Sequence, residues 1–150
     1  MKKTFILLAI ISLIKCSNSD ELHLYPDYIV GTWELQSKFI SEEHSLLLNE
    51  CDRKNRYIFR DDKTIDFKEY RENSNENCVL INEEYSYEKY KVENDILEMS
   101  GTLYVTPSQE DSFTRLNLIK FPNENTLEIY YFDANMKPHS FASEIWKRID

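Results

Sequence analysis

At 150 residues, 41% apolar and 30% charged, the chain has the size and make-up of one globular domain and shows no repeats or disordered tracts. Its formal charge is -9, and the only basic residues among the first fifteen are Lys2, Lys3 and Lys15, so the remainder carries 15 basic against 27 acidic residues, or -12. Such an acidic chain, with its Lys and Arg scattered, excludes nucleic acid as a partner.

Residues 1–15 read as a signal peptide, with Lys2 and Lys3 ahead of an apolar run from Phe5 to Ile11 that continues to Leu13 and Ile14. The run is too short to span a membrane and has the length of a signal-peptide core. Leu13-Ile14-Lys15-Cys16 resembles a bacterial lipobox, in which Cys16 is lipidated and becomes the mature N-terminus, although Lys15 stands where a small residue is usual. Cleavage by ordinary signal peptidase and an uncleaved anchor are the other readings. Residues 16–28 then hold the lipidated cysteine and a polar tether around Ser17-Asn18-Ser19-Asp20-Glu21. The expected location is the cell envelope, as an outer-membrane lipoprotein on the periplasmic face or the cell surface, with secretion as the alternative. The membrane is met through the N-terminal lipid, whose chains bind at roughly 0.8 kcal/mol per buried methylene.

Residues 29–149 form the domain. Gly31, one of only two glycines, permits a tight bend ahead of Trp33, which opens an alternation with Trp33, Leu35 and Phe39 on one face and Glu34, Gln36 and Lys38 on the other. That is a half-buried first strand. Residues 41–50 read as a connection with a short helix at the three leucines, lying across the open end if the domain is a barrel; His44 there is a solvated loop residue. Residues 56–60 and 64–70 alternate again, with Tyr57, Phe59, Ile65 and Phe67 inward and Asp61-Asp62-Lys63 as a hairpin turn. Further strands are expected over 84–92, 95–106, 112–121, 125–133 and 137–149, each separated by Pro, Asn, Asp or Ser clusters. Eight strands on short links with no long amphipathic helix predict an all-β antiparallel meander, closed into a barrel or folded into a sandwich.

After Cys16 there remain Cys51, before the second strand, and Cys78, in the loop after the third. An even pair in an exported chain reads as a disulfide, and its closure would stabilise the fold by about 3 to 4 kcal/mol. Two distant thiols, with His23, His44 and His139 at no metal-ligand spacing, leave no metal site, and no cofactor is expected.

Val30-Gly31-Thr32-Trp33-Glu34-Leu35, Cys51 before Tyr57-Ile58-Phe59, Thr64-Ile65-Asp66-Phe67, Asn77-Cys78-Val79-Leu80, Asn94-Asp95-Ile96-Leu97-Glu98-Met99 and Ile145-Trp146-Lys147-Arg148 together resemble the lipocalin-like domain of small bacterial lipoproteins, a calycin-type barrel, over nearly the whole mature chain. The resemblance implies an eight-stranded antiparallel up-and-down barrel. It also implies a floor built on Gly31 and Trp33, with a basic residue at the end of the last strand, Arg148 or Lys147, stacked over the indole. The chain departs from its relatives at Asp62-Lys63, where Asp-Gly is usual, and at Tyr85 to Tyr90, which lacks a Gly-x-Trp.

A barrel of eight strands is wide enough for packed side chains or one small ligand. The interior candidates Phe39, Tyr57, Phe59, Phe67, Met99, Phe113 and Tyr131 either line such a pocket or fill it as core. Catalysis finds no support: the carboxylate pairs Asp61-Asp62 and Glu83-Glu84 are adjacent in extended or turn segments and diverge, and no nucleophile elbow or phosphate loop occurs. The expected function is non-catalytic binding of a small hydrophobic or amphipathic ligand by a monomer. The alternative is a packed barrel whose loops contact an envelope partner.

Overall fold

A computed structural model describes residues 28–81, 85–106 and 109–150. The leader, Cys16, most of the tether, Glu83, Glu84 and the expected turn at Pro107 and Ser108 lie outside the described residues. Those described form ten strands: β1 Gly31–Ser41, β2 His44–Ser45, β3 Arg56–Phe59, β4 Ile65–Glu72, β5 Cys78–Ile81, β6 Tyr85–Glu93, β7 Ile96–Thr106, β8 Gln109–Asn123, β9 Thr126–Tyr130 and β10 Glu144–Arg148. They make one antiparallel sheet in the order β5-β4-β3-β1-β10-β9-β8-β7-β6, with β2 folded back on β1. One sheet curled round one core is the barrel alternative, not the sandwich.

Setting aside the short β2 and β5, eight strands complete an up-and-down circuit. Its last seam, between β4 and β6, is not a closed ladder: the strands meet at the Thr64–Lys89 bridge, beside which the Tyr90 N–H donates to the Lys63 carbonyl at 2.9 Å. Beyond that point β4 pairs with β5 instead. Every circuit strand runs either away from or back to the end where Gly31 and Arg148 pair with their neighbours, so that end is a floor and the other, where β1 stops and β10 starts, a mouth.

The floor is built round Trp33, which is fully buried, donates its indole N–H to the Ile29 carbonyl at 2.8 Å and packs on Phe121 at 5.8 Å. The Arg148 guanidinium lies 4.5 Å from the indole centroid and donates to the carbonyls of Tyr28, Val30 and Glu124. Lys147, the other basic residue considered for this place, faces solvent. Gly31 has φ +139, and a Cβ there would overlap the Arg148 guanidinium, so both backbone angle and close approach require glycine. The β3–β4 turn closes without one. Lys63 takes the left-handed position at φ 65, while the Asp62 carboxylate accepts the Thr64 N–H at 3.0 Å and hydroxyl at 2.6 Å.

Four expectations are corrected. Alternation in β1 does not run through to Phe39, because a bulge between Leu35 and Ser37 shifts the register against β10. Leu35 opposes the buried Trp146 and Lys38 opposes the buried Glu144, so Lys38 turns inward, and Phe39, in the expected pocket wall, pairs with Ser45 of β2 instead. The short helix expected within 41–50 is absent: the Leu46 N–H donates to the Lys38 carbonyl at 2.7 Å, so this backbone continues the β1–β2 hairpin, and a single 3-10 turn follows at Asp52–Lys54. Residues 78–81, expected as loop, are strand β5. Finally, β9 and β10 are shorter than 125–133 and 137–149. Asp133 accepts the N–H groups of Asn135 and Lys137 and Pro138 has none to donate, so 131–143 is a long hairpin loop over the mouth, held by a Phe132–Pro138 bridge.

Cys51 and Cys78 are bonded, their Cα atoms 5.2 Å apart. Cys51 sits at the start of the 3-10 turn and Cys78 opens β5, so the bond ties the β2–β3 connection to the β4–β5 hairpin.

Candidate functional site

Inside the barrel a continuous core is packed above the floor. Phe59 and Met99 are each 1% exposed and belong to this core with Ile65, Leu97, Ile119 and Leu127. Above it Tyr57 is a hub, its ring centroid 4.5 Å from Trp146, 4.6 Å from Phe67 and 6.1 Å from Tyr87. These separations are those of aromatic pairs in contact, and they form the bottom of a cup of about 180 Å³ that opens toward the mouth. Leu35, Tyr57, Phe67 and Trp146 supply its apolar wall; Lys38, Asn55, Glu69, Arg115, Tyr131 and Glu144 supply the polar one. Of the pocket residues expected from sequence, Tyr57, Phe67 and Tyr131 are therefore brought together. Phe59 and Met99 lie in the packed core, Phe39 is turned away by the bulge, and Phe113 packs on the Tyr87 ring at 5.1 Å.

The cup has two polar poles. At one, the Glu144 carboxylate, 5% exposed as a residue, accepts the Tyr131 hydroxyl, the Trp146 indole N–H at 3.1 Å and an ion pair from Lys38 at 3.4 Å. Three donors around a buried carboxylate are what its desolvation requires. At the other, the Arg115 guanidinium lies 4.4 Å from the Tyr131 ring centroid and donates to the Tyr87 hydroxyl at 3.3 Å. Burial opposes its charge, the Tyr131, Tyr57 and Tyr87 oxygens favour it, and the balance lies above the ordinary arginine value. Burial and then the neighbouring Glu144 push the Tyr131 hydroxyl up, against the pull of Arg115; burial, with Tyr87 and Glu144 nearby, pushes Tyr57 well up. All three groups keep their pH 7 protonation states, so none is poised for proton transfer.

Lys38, Arg115 and Glu144 are residues that sequence reasoning did not select for the interior. Alternation held the signal for two of them: Arg115 is two residues from the inward Phe113, and Glu144 two from Trp146. Lys38 had none, because its orientation depends on the bulge.

A second depression, of about 410 Å³, opens sideways where β4 and β6 part, between Asp66, Lys68, Leu80, Ser86 and Tyr104. Phe67 and Tyr87 also line it, and Phe67 is shared with the cup. Among the described residues no group of three or more His, Cys, Asp or Glu is placed to hold a metal ion.

An antiparallel up-and-down barrel with a plugged floor and a partly polar cup at its mouth is a calycin-type binding fold. The lipocalin-like domain family matches residues 29–129, two thirds of the chain, and the protein belongs to that family, whose members are generally non-catalytic binding proteins. The curated proteins contain no match to it. Strand β10, with Trp146 and Arg148, falls beyond the matched residues yet completes the circuit between β1 and β9.

Proposed function

We propose that the chain is an envelope-tethered binding protein that takes one small amphipathic molecule into the cup and performs no chemistry on it. The observation that carries this reading is the cup: an apolar floor of Tyr57, Phe67 and Trp146 facing convergent polar groups at the mouth end. Its 180 Å³ falls below the roughly 300 to 1,000 Å³ that hold drug-sized ligands, so the occupant is smaller than those. Tethering through a lipid on Cys16, to the outer membrane on either face, rests on the sequence of residues 1–20, and the Cys51–Cys78 bond supports an oxidising compartment.

Native mass spectrometry of the protein recovered from its own envelope under non-reducing conditions tests this. A small bound mass is expected, lost in a Phe67→Asp variant that remains folded. A folded protein that is empty and takes up no apolar probe would refute the reading.

One observation favours a second reading, in which the barrel is a support for loops that contact an envelope partner. Leu47 in the β1–β3 connection is 96% exposed, and its neighbours Ile40 and Leu46 are exposed as well. An empty barrel with partner capture that depends on Leu47 would select it.

A further inference from the structure

The four charged side chains that line the cup are not equivalent. Glu144 is paired with Lys38 at 3.4 Å, and Glu69 with Arg71 at 2.9 Å. Arg115 is different: among the described residues no carboxylate pairs with it, and its protein contacts are the hydroxyl of Tyr87 and the ring and hydroxyl of Tyr131. A guanidinium carries five N–H donors in a rigid fork matched to a planar oxyanion, and most of these have no acceptor among the described residues. An uncompensated cation inside a folded interior is destabilising, and a ring face compensates it only in part.

Arg115 is half-buried. On β8 the side chains of Phe113, Arg115, Asn117 and Ile119 follow one another along the inner face, and Met99, opposite Arg115 across the β7–β8 ladder, is fully buried. The guanidinium therefore stands at the edge of the cup with Tyr57, Phe67 and Trp146 across it.

We infer that the ligand of the cup carries a carboxylate that sits on Arg115, with a flat apolar body against Tyr57, Phe67 and Trp146. The inference rests on the binding reading above and names the class of its ligand. At the packing density of protein interiors, about 0.74, the cup holds a molecule of roughly 130 Å³, the size of a single-ring aromatic acid rather than of a long acyl chain. The two carboxylates already in the cup do not repel it decisively, because each has its own cation.

The test is calorimetric titration of the disulfide-bonded protein with phenylacetate and with its neutral isostere phenylacetamide, alongside a neutral apolar dye. The acid should bind at least tenfold more tightly than the amide, as charge-assisted, bidentate hydrogen bonding demands. Arg115→Gln should abolish that preference while leaving the amide's affinity within threefold, and Arg115→Lys should restore part of it. If the glutamine variant does not fold, the wild type decides alone: acid binding must fall tenfold or more when the ligand itself is protonated below pH 4. Equal affinity for acid and amide, or dye uptake with neither bound, overturns the carboxylate and leaves the binding barrel standing. Failure of acid, amide and dye together overturns both.

Discussion

Truncation of Arg148 to alanine removes one cation–ring contact and three hydrogen bonds from the floor at once. The cation over the fully buried Trp33 face, 4.5 Å from its centroid, contributes about 1 to 2 kcal/mol. The hydrogen bonds to the Tyr28, Val30 and Glu124 carbonyls would each be worth more if buried, but Tyr28 and Glu124 are exposed and water replaces the donor there, so only the Val30 carbonyl suffers much. The total comes to about 2 to 4 kcal/mol. At a urea slope of about 1.5 kcal/mol/M this lowers the unfolding midpoint by roughly 1 to 3 M with an unchanged slope. Arg148→Lys should recover less than half, because an ammonium cannot span two carbonyls and lie flat on an indole. Lys147→Ala, one residue away and exposed, should stay within about 0.5 kcal/mol of wild type. The reasoning is refuted if Arg148→Ala shifts the midpoint no more than Lys147→Ala does.

A Cβ at Gly101 would overlap the carbonyl of Ser86 on the neighbouring strand, where the β6–β7 register shifts between Tyr87 and Lys89, so Gly101→Ala should cost about 1 to 3 kcal/mol in urea unfolding; a cost near zero would show that β6 is free to move. Cys51→Ser with Cys78→Ser should cost about 3 to 4 kcal/mol through loss of a 27-residue cross-link, and hydrogen exchange should rise most in β5; exchange spread evenly over the barrel would contradict a local clasp. Burial, aided by Glu128, raises the Tyr130 hydroxyl to about 12, and Tyr57 and Tyr131 are raised too. Their folded values lie above the unfolded value near 10, so the stability they contribute is complete below pH 10 and is lost as pH rises through the folded values. Absorbance at 295 nm should therefore show these three ionising only in step with alkaline unfolding; their ionisation while the fold is still intact would be the opposite result.

How much of this was legible in the sequence depends on whether an element is specified by its own residues or by its partner. Alternation of period two put Tyr57, Phe59, Ile65 and Phe67 inside and gave the eight circuit strands, because each carries its pattern locally. The bulge in β1 is not local. Leu35-Gln36-Ser37 contains no glycine or proline to announce it, and it exists because Trp146 and Glu144 must both meet an inward residue across the ladder. The turn expected at 134–136 lies inside the long 131–143 connection, but Tyr131, Phe132 and Phe141 on either side of it resemble strand. Strand β5 escaped notice for a related reason: Val79 and Leu80 are exposed, so it shows no buried face.

The same distinction explains why the candidate site was the least legible part. Assigning charged side chains outward is right for a core, where an unpaired charge is destabilising. The upper interior breaks that rule four times, at Lys38, Glu69, Arg115 and Glu144, and the breaks differ: Glu69 is paired with Arg71. Lys38 and Glu144 answer each other, and the Tyr131 hydroxyl and Trp146 indole complete the carboxylate's shell, so that pair is finished within the protein and serves to fix the β1–β10 register at the mouth. Arg115 is answered by neutral groups alone. A register device needs no third partner, whereas the proposed carboxylate would complete a cation left with hydroxyl and ring contacts at the lip of an aromatic cup. If the cup binds a ligand as proposed, Arg115, rather than any of the aromatic residues that sequence singled out, is where that ligand's identity would be decided.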